Sequence, residues 1–174
     1  RIINNICAWK PRTNVILDII YKCYEIGRKI LILSDRREHC LEIVKNVNEK
    51  YGEEIAGAYL GGMSIYDLED SNKKMVIAGT YQACSEGYDN VALSCLIMST
   101  PIGNIEQSVG RILRQENEHH PLIYSIVDVN ISCLKKQIEK HKKLYKKRGY
   151  EVYMNNDSEK LDLPKKKEKI VPLY

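Results

Sequence analysis

Five short apolar runs, each set apart by a stretch long enough for a helix, constrain this chain more than any other feature. They span residues 29–34, 55–60, 75–78, 93–99 and 122–127. A run of this length without apolar–polar alternation reads as a strand covered on both faces, as in a parallel sheet. Between the runs, helical spacing appears. Residues 14–26 place Val15, Ile16, Ile19, Ile20 and Cys23 on one stripe, with Pro11 and Thr13 as start signals and Gly27 as a stop. Residues 36–50 turn His39 or Cys40, Ile43, Val44 and Val47 inward. Shorter helices are expected from Tyr81 and over 105–113, and a long basic one over 131–150 carries Leu134, Ile138, His141, Leu144 and Tyr145. Strands alternating with helices require right-handed crossovers, so the expected fold is α/β: a mostly parallel sheet with helices on both faces.

In such a sheet the loops at the carboxyl ends of the strands form the ligand crevice. Two polar segments fall there. Gly79-Thr-Tyr-Gln-Ala-Cys-Ser-Glu-Gly-Tyr-Asp89 follows the third run, and Gln107-Ser-Val-Gly-Arg-Ile-Leu-Arg114 follows the fourth, after Pro101. Arg111 and Arg114 stand three apart, so a helix points both guanidiniums to one side, one turn apart. Two permanently charged planar forks suit the oxygens of a phosphoryl group in transfer. Gly110 removes a side chain beside them and permits close approach.

Residues 31–114 resemble the second, C-terminal RecA-like domain of a superfamily 2 helicase. Leu31-Ile-Leu-Ser-Asp-Arg-Arg-Glu-His39 is similar to motif IV of that family, 79–89 to motif V, and 107–114 to motif VI, Gln-x-x-Gly-Arg-x-x-Arg. The three stand in the family's order and spacing. The Gln-x-x-Gly-Arg form, with Ser-Glu-Gly-x-Asp ahead of it, is closer to DNA-repair and large-DNA-virus transcription helicases than to DEAD-box RNA helicases, which usually carry His-Arg-x-Gly-Arg. Lys10-Pro-Arg-Thr-Asn14 ahead of the first long helix points toward the viral group.

The resemblance implies an ATP-dependent helicase or translocase of which this chain is one part. The phosphate loop Gly-x-x-x-x-Gly-Lys-[Ser/Thr] and the acidic Asp-Glu-x-[His/Asp] motif are absent from the sequence. ATP and Mg2+ would therefore be held mainly by an N-terminal RecA-like partner domain, and this chain alone is expected to hydrolyse no ATP. Arg111 and Arg114 are the implied catalytic residues at the γ-phosphate, Arg114 as the finger and Arg111 as the coupling contact, or the reverse. Gln107 would bond near the nucleotide or tie its helix to the partner domain. Asp89, beyond Gly87, would accept from a ribose hydroxyl or pair with a motif VI arginine; Glu86 would bridge to such an arginine or stay solvated. Ser34, Arg36, Arg37, Gly61 and Thr80 are the implied contacts to the nucleic-acid backbone, although Asp35 has a competing use as a helix cap.

Composition narrows the setting. A length of 174 residues suits one domain with a real core, assigned to 1–150, with 151–174 expected as a polar, lysine-rich tail or linker. No apolar run approaches a membrane span, and no signal peptide is visible. Six scattered cysteines without a Cys-x-x-Cys pair argue against a zinc site and for a reducing compartment, cytoplasm or nucleus, or a virion or virus factory for a viral protein. From Leu134 onward there are thirteen Lys or Arg against six Asp or Glu, so the net charge of +4 is a C-terminal property. That basic helix and tail would embrace a nucleic-acid backbone, pack on another domain, or stay solvated. The expected partner is nucleic acid, DNA before RNA. A non-catalytic binding or docking module that keeps the RecA-like fold is the alternative; an unrelated nucleotide-binding regulator is disfavoured because no glycine-rich loop follows the first strand.

Overall fold

The computed structural model of the chain describes residues 2–106, 108, 110, 121–154 and 170–173. In order, the elements are α1 (Ile2–Ala8), α2 (Lys10–Glu25), β1 (Ile30–Ser34), α3 (Arg37–Tyr51), β2 (Ala56–Tyr59), α4 (Ile65–Lys73), β3 (Val76–Thr80), α5 (Tyr81–Gly87), β4 (Cys95–Met98), β5 (Leu122–Ser125), α6 (Ser132–Lys147), β6 (Glu151–Met154) and β7 (Ile170–Leu173). Helical backbone is also present at Glu106, Ser108 and Gly110. The strands form one sheet of order β2-β3-β1-β4-β5-β7-β6, every pairing parallel.

Alternate residues of each central strand feed two separate cores, which is why the strands read as unbroken apolar runs. Ile30, Ile32, Val76, Ala78, Cys95, Ile97, Leu122 and Tyr124 meet Ile16, Ile19, Ile20 and Cys23 of α2 and Cys40, Ile43 and Val47 of α3. The intervening residues, Leu31, Leu33, Ile77, Leu96, Met98 and Ile123, face the other way, onto Cys84 of α5 and Ile138 and Tyr145 of α6. The result is the expected three-layer α/β domain. At Gly79 an added Cβ would lie 2.9 Å from the Tyr59 carbonyl oxygen and closer still to the Cys84 sulfur. Only glycine lets β2 and α5 close on the end of β3 there.

Some elements differ from the sequence reading. Helix α2 starts at Lys10 rather than at 14, with Trp9 as N-cap and Pro11 in its first turn, where a missing N–H costs nothing. Helices α1 and α4 were not expected. Ser64 caps α4 by accepting from the Asp67 N–H at 3.2 Å, but the helix buries only Ser71, so no apolar stripe betrays it. Within 151–174, where a polar tail was expected, β6 and β7 are strands, with β7 paired to β5 on one side and to β6 on the other. Residues 155–169 lie outside the described residues.

Candidate nucleotide and nucleic-acid interface

Parallel pairing in register brings the carboxyl ends of β1, β2, β3 and β4 to one edge: Ser34 lies opposite Thr80, and Leu33 opposite Met98. The chain after β1 crosses to one side of the sheet and the chain after β3 to the other, so the gap between β1 and β4 is the switch point where such sheets take ligands. That gap is bridged by Thr100. Its hydroxyl accepts from the Asp35 N–H at 2.8 Å, and its carbonyl accepts from the Tyr81 hydroxyl at 2.7 Å. One residue thus ties the turn after β1 to the start of α5.

Ser34 ends β1 fully buried. Its oxygen accepts from the Arg36 N–H at 3.2 Å and lies 3.0 Å from His39 Nδ1. A hydroxyl has two lone pairs and one proton, so Ser34 can hold the ring in either tautomer while it accepts from Arg36. The environment keeps the ring neutral: burial first, and the Arg12 charge second, lower the His39 pKa to about 4, against an opposing effect of Glu42. Arg36 donates from Nε to Asn4 Oδ1 at 2.7 Å and also pairs with the Asp35 carboxylate. Asp35 does not cap α3; the N-cap is Arg36, without a side-chain capping bond. Arg37 is exposed and donates from Nη1 to the Gly61 carbonyl at 2.5 Å, joining the start of α3 to the turn after β2. Gly62 in that turn has a φ of 81°, which favours glycine.

Thr80 ends β3 and caps α5, its oxygen accepting from the Ala83 N–H at 3.3 Å. Capping uses a lone pair and leaves the hydroxyl proton available to a phosphate. Further along, Glu86 is exposed and accepts from Gln82 Nε2 at 3.4 Å. Gly87 closes α5, and Asp89 beyond it is exposed, with its backbone carbonyl accepting from Asn72 at 3.3 Å and its carboxylate in no ion pair among the described residues. A cleft of about 240 Å³ opens beside α5, lined by Tyr81, Gln82, Ser85, Asn104 and Ser108 among others. Gln107, Arg111 and Arg114 lie outside the described residues. The loop that leads to them is held by α6 through His141 Nε2 on the Ile102 carbonyl at 2.8 Å, and by Arg148, just past the end of α6, paired with Glu106 at 3.3 Å.

Sequence reasoning missed Thr100, Tyr81 and Arg12. Arg12 is 4% exposed and donates from Nε to Asp128 at 2.9 Å, while its two terminal nitrogens have no partner among the described residues. A Thr before a Pro and an Arg near a helix start are weak signals, because burial is invisible in a sequence. Asp89 does not join this edge: Asn72, which bonds to its carbonyl, also accepts from Lys29 Nζ at 2.8 Å just ahead of β1, so Asp89 lies toward the amino ends of the strands, away from Ser34, Thr80 and Thr100. Donors for a triphosphate would have to come from Arg111 and Arg114. Among the described residues no group of three or more His, Cys, Asp or Glu is arranged to hold a metal ion, and no helix is long and apolar enough to cross a membrane.

No model of a known protein family matches the chain. It is 36% identical over 165 residues, 92% of its own length, to a protein described as an ATP-dependent RNA helicase of Acanthamoeba polyphaga mimivirus. Among solved structures, the helicase domain of Pyrococcus furiosus Hef superposes on 74% of the chain with a TM-score of 0.52 at 18% identity, a likeness of fold. The chain is a RecA-like domain of the superfamily 2 helicases. Two further relatives are a transcript termination protein of Yaba monkey tumor virus, 30% identical over 60% of the chain, and a protein of African swine fever virus that carries the name of an ATP-dependent RNA helicase, 31% identical over 53%. The chain spans 31%, 24% and 19% of these three relatives, and 28% of the Hef chain.

Proposed function

We propose that this superfamily 2 domain is the C-terminal motor half of an ATP-dependent nucleic-acid helicase or translocase. The carrying observation is the meeting, at one sheet edge, of the turn after β1, the start of α5 and the loop toward 107–114, the first two tied through Thr100. In this reading ATP and Mg2+ are held mainly by an N-terminal RecA-like domain of the same protein. ATP closes the cleft between the two RecA-like domains, and its hydrolysis reopens it. Arg111 and Arg114 enter that cleft and neutralise charge developing on the transferred phosphoryl group. Gln107 orients their helix, and Glu86, with Gly87 beside it, takes the ribose or an arginine. Arg36, Arg37, Gly61 and Thr80 grip phosphates, and buried Ser34 sets the turn that presents them.

The relatives' names support an RNA track, while the Gln-x-x-Gly-Arg form of motif VI supports DNA, so the test must offer both. A cytoplasmic, nuclear or virus-factory setting belongs to the same proposal. The deciding experiment joins the chain to its N-terminal partner domain and follows ATP hydrolysis with single-stranded DNA, duplex DNA or RNA added. Stimulation by one of these, reduced by about a thousandfold or more in Arg114→Ala, is the expected result. Equal and unstimulated rates in both proteins would remove the motor reading in favour of a non-catalytic docking module. The isolated chain is expected to show no turnover, and turnover surviving Arg114→Ala would contradict the half-site assignment.

A further inference from the structure

Helix α6 buries one face and turns a uniform charge outward. Ile138, His141 and Tyr145 pack inward, with the Tyr145 hydroxyl 2.9 Å from Ser125 Oγ. Lys136, Lys140, Lys143 and Lys147 are all exposed. At 3.6 residues per turn these four fall within about 60° of one another, on the side opposite the buried stripe, and run along about 16 Å of the axis. The one acidic residue of the helix, Glu139, lies off this stripe and pairs with Lys142 at 2.8 Å. None of the four stripe lysines forms an ion pair among the described residues. The inward side of the same helix holds the Ile102 carbonyl through His141, and the exposed Arg148 just past its end pairs with Glu106.

We propose that the Lys136–Lys140–Lys143–Lys147 stripe is a second, sequence-blind binding surface for the sugar-phosphate backbone of nucleic acid, separate from the sheet edge. The inference rests on the reading of the domain as a nucleic-acid motor. Charge complementarity selects the occupant. Four unpaired ammonium groups are spaced 4.5–6 Å apart along the axis, roughly one helical turn each. A phosphate chain supplies negative charge at comparable intervals, and no base edge is needed. Lysines held as point charges on flexible stems suit such a track better than they suit a shaped pocket.

The test uses the protein with both RecA-like domains. Fluorescence anisotropy with a labelled single strand and with a duplex, across a salt series, compares wild type with K136Q/K140Q/K143Q/K147Q and with the matching fourfold Lys→Arg protein. The glutamine protein is expected to lower the slope of log affinity against log salt by roughly three, and the arginine protein to restore it. Nucleic-acid-free ATP hydrolysis should be the same in all three. An unchanged slope in the glutamine protein would overturn the proposal and assign the stripe to solvent or to an acidic protein. Failure of the arginine protein to restore the slope would overturn it equally, since charge would not be the cause. Failure of the motor reading is distinct: it appears as absent stimulation of hydrolysis in wild type, whatever the salt slope.

Discussion

His39 shows how a single side chain carries a pH dependence into the fold. Its ring is 2% exposed, hydrogen-bonded to Ser34, faced by the charge of Arg12, and held neutral with a pKa near 4 against an ordinary 6.5. Because the folded-state value is depressed, the unfolded chain takes up a proton first as the pH falls. Stability is therefore intact above about 6.5 and declines between 6.5 and 4, by on the order of 3 kcal/mol. Urea denaturation of His39→Gln across that window should give a shallower pH dependence than wild type; parallel curves would contradict the assignment. The sequence reading left His39 and Cys40 as alternatives for the inward position. Both are buried, because α3 presses its N-terminal turn against the end of β1.

Between elements, contacts that close an open strand matter more than propensity. Strand β2 is the sheet edge, and its outer side would expose backbone groups. Asn48, near the end of α3, covers it: its Nδ2 donates to the Ala56 carbonyl at 3.1 Å, and its Oδ1 accepts from the Ala56 N–H at 2.8 Å. Asn48→Ala should cost about 2 kcal/mol by leaving a buried donor and acceptor unpaired, with Asn48→Asp intermediate because it keeps the acceptor. An unchanged urea midpoint for Asn48→Ala would show that this edge is satisfied by other means. The same scale explains where the elements were legible. Helices α2, α3 and α6 and the five central strands announce themselves through apolar spacing, whereas α4, which buries only Ser71, has a cap but no stripe. Strands β6 (Glu-Val-Tyr-Met) and β7 (Ile-Val-Pro-Leu) are only four residues each at the two ends of a lysine-rich stretch, too short to show a period in the sequence, and are defined by pairing with each other.

Across the whole molecule, the Arg12–Asp128 pair joins the first turn of α2 to the segment after β5, 116 residues away, with side-chain exposures of 3% and 11%. Removing one partner leaves a buried charge uncompensated, so Arg12→Ala should lose about 3–5 kcal/mol, whereas replacing both partners by apolar residues should recover much of that loss. A single-variant loss under about 1 kcal/mol in denaturant titration would mean that water already solvates the pair. The sequence by itself determined the layer architecture, because continuous apolar runs alternating with striped segments have few packed solutions. It also determined the family, because the motif segments depend on residue type and order, and both survive in the linear chain. Only the tertiary structure decided that Thr100 bridges the motif IV turn to α5, that Arg12 and His39 are buried beneath it, and that α6 faces its lysines outward while holding the loop toward Arg111 and Arg114. Those facts depend on which distant segments the sheet brings within hydrogen-bonding distance, and no local pattern of residues encodes that distance.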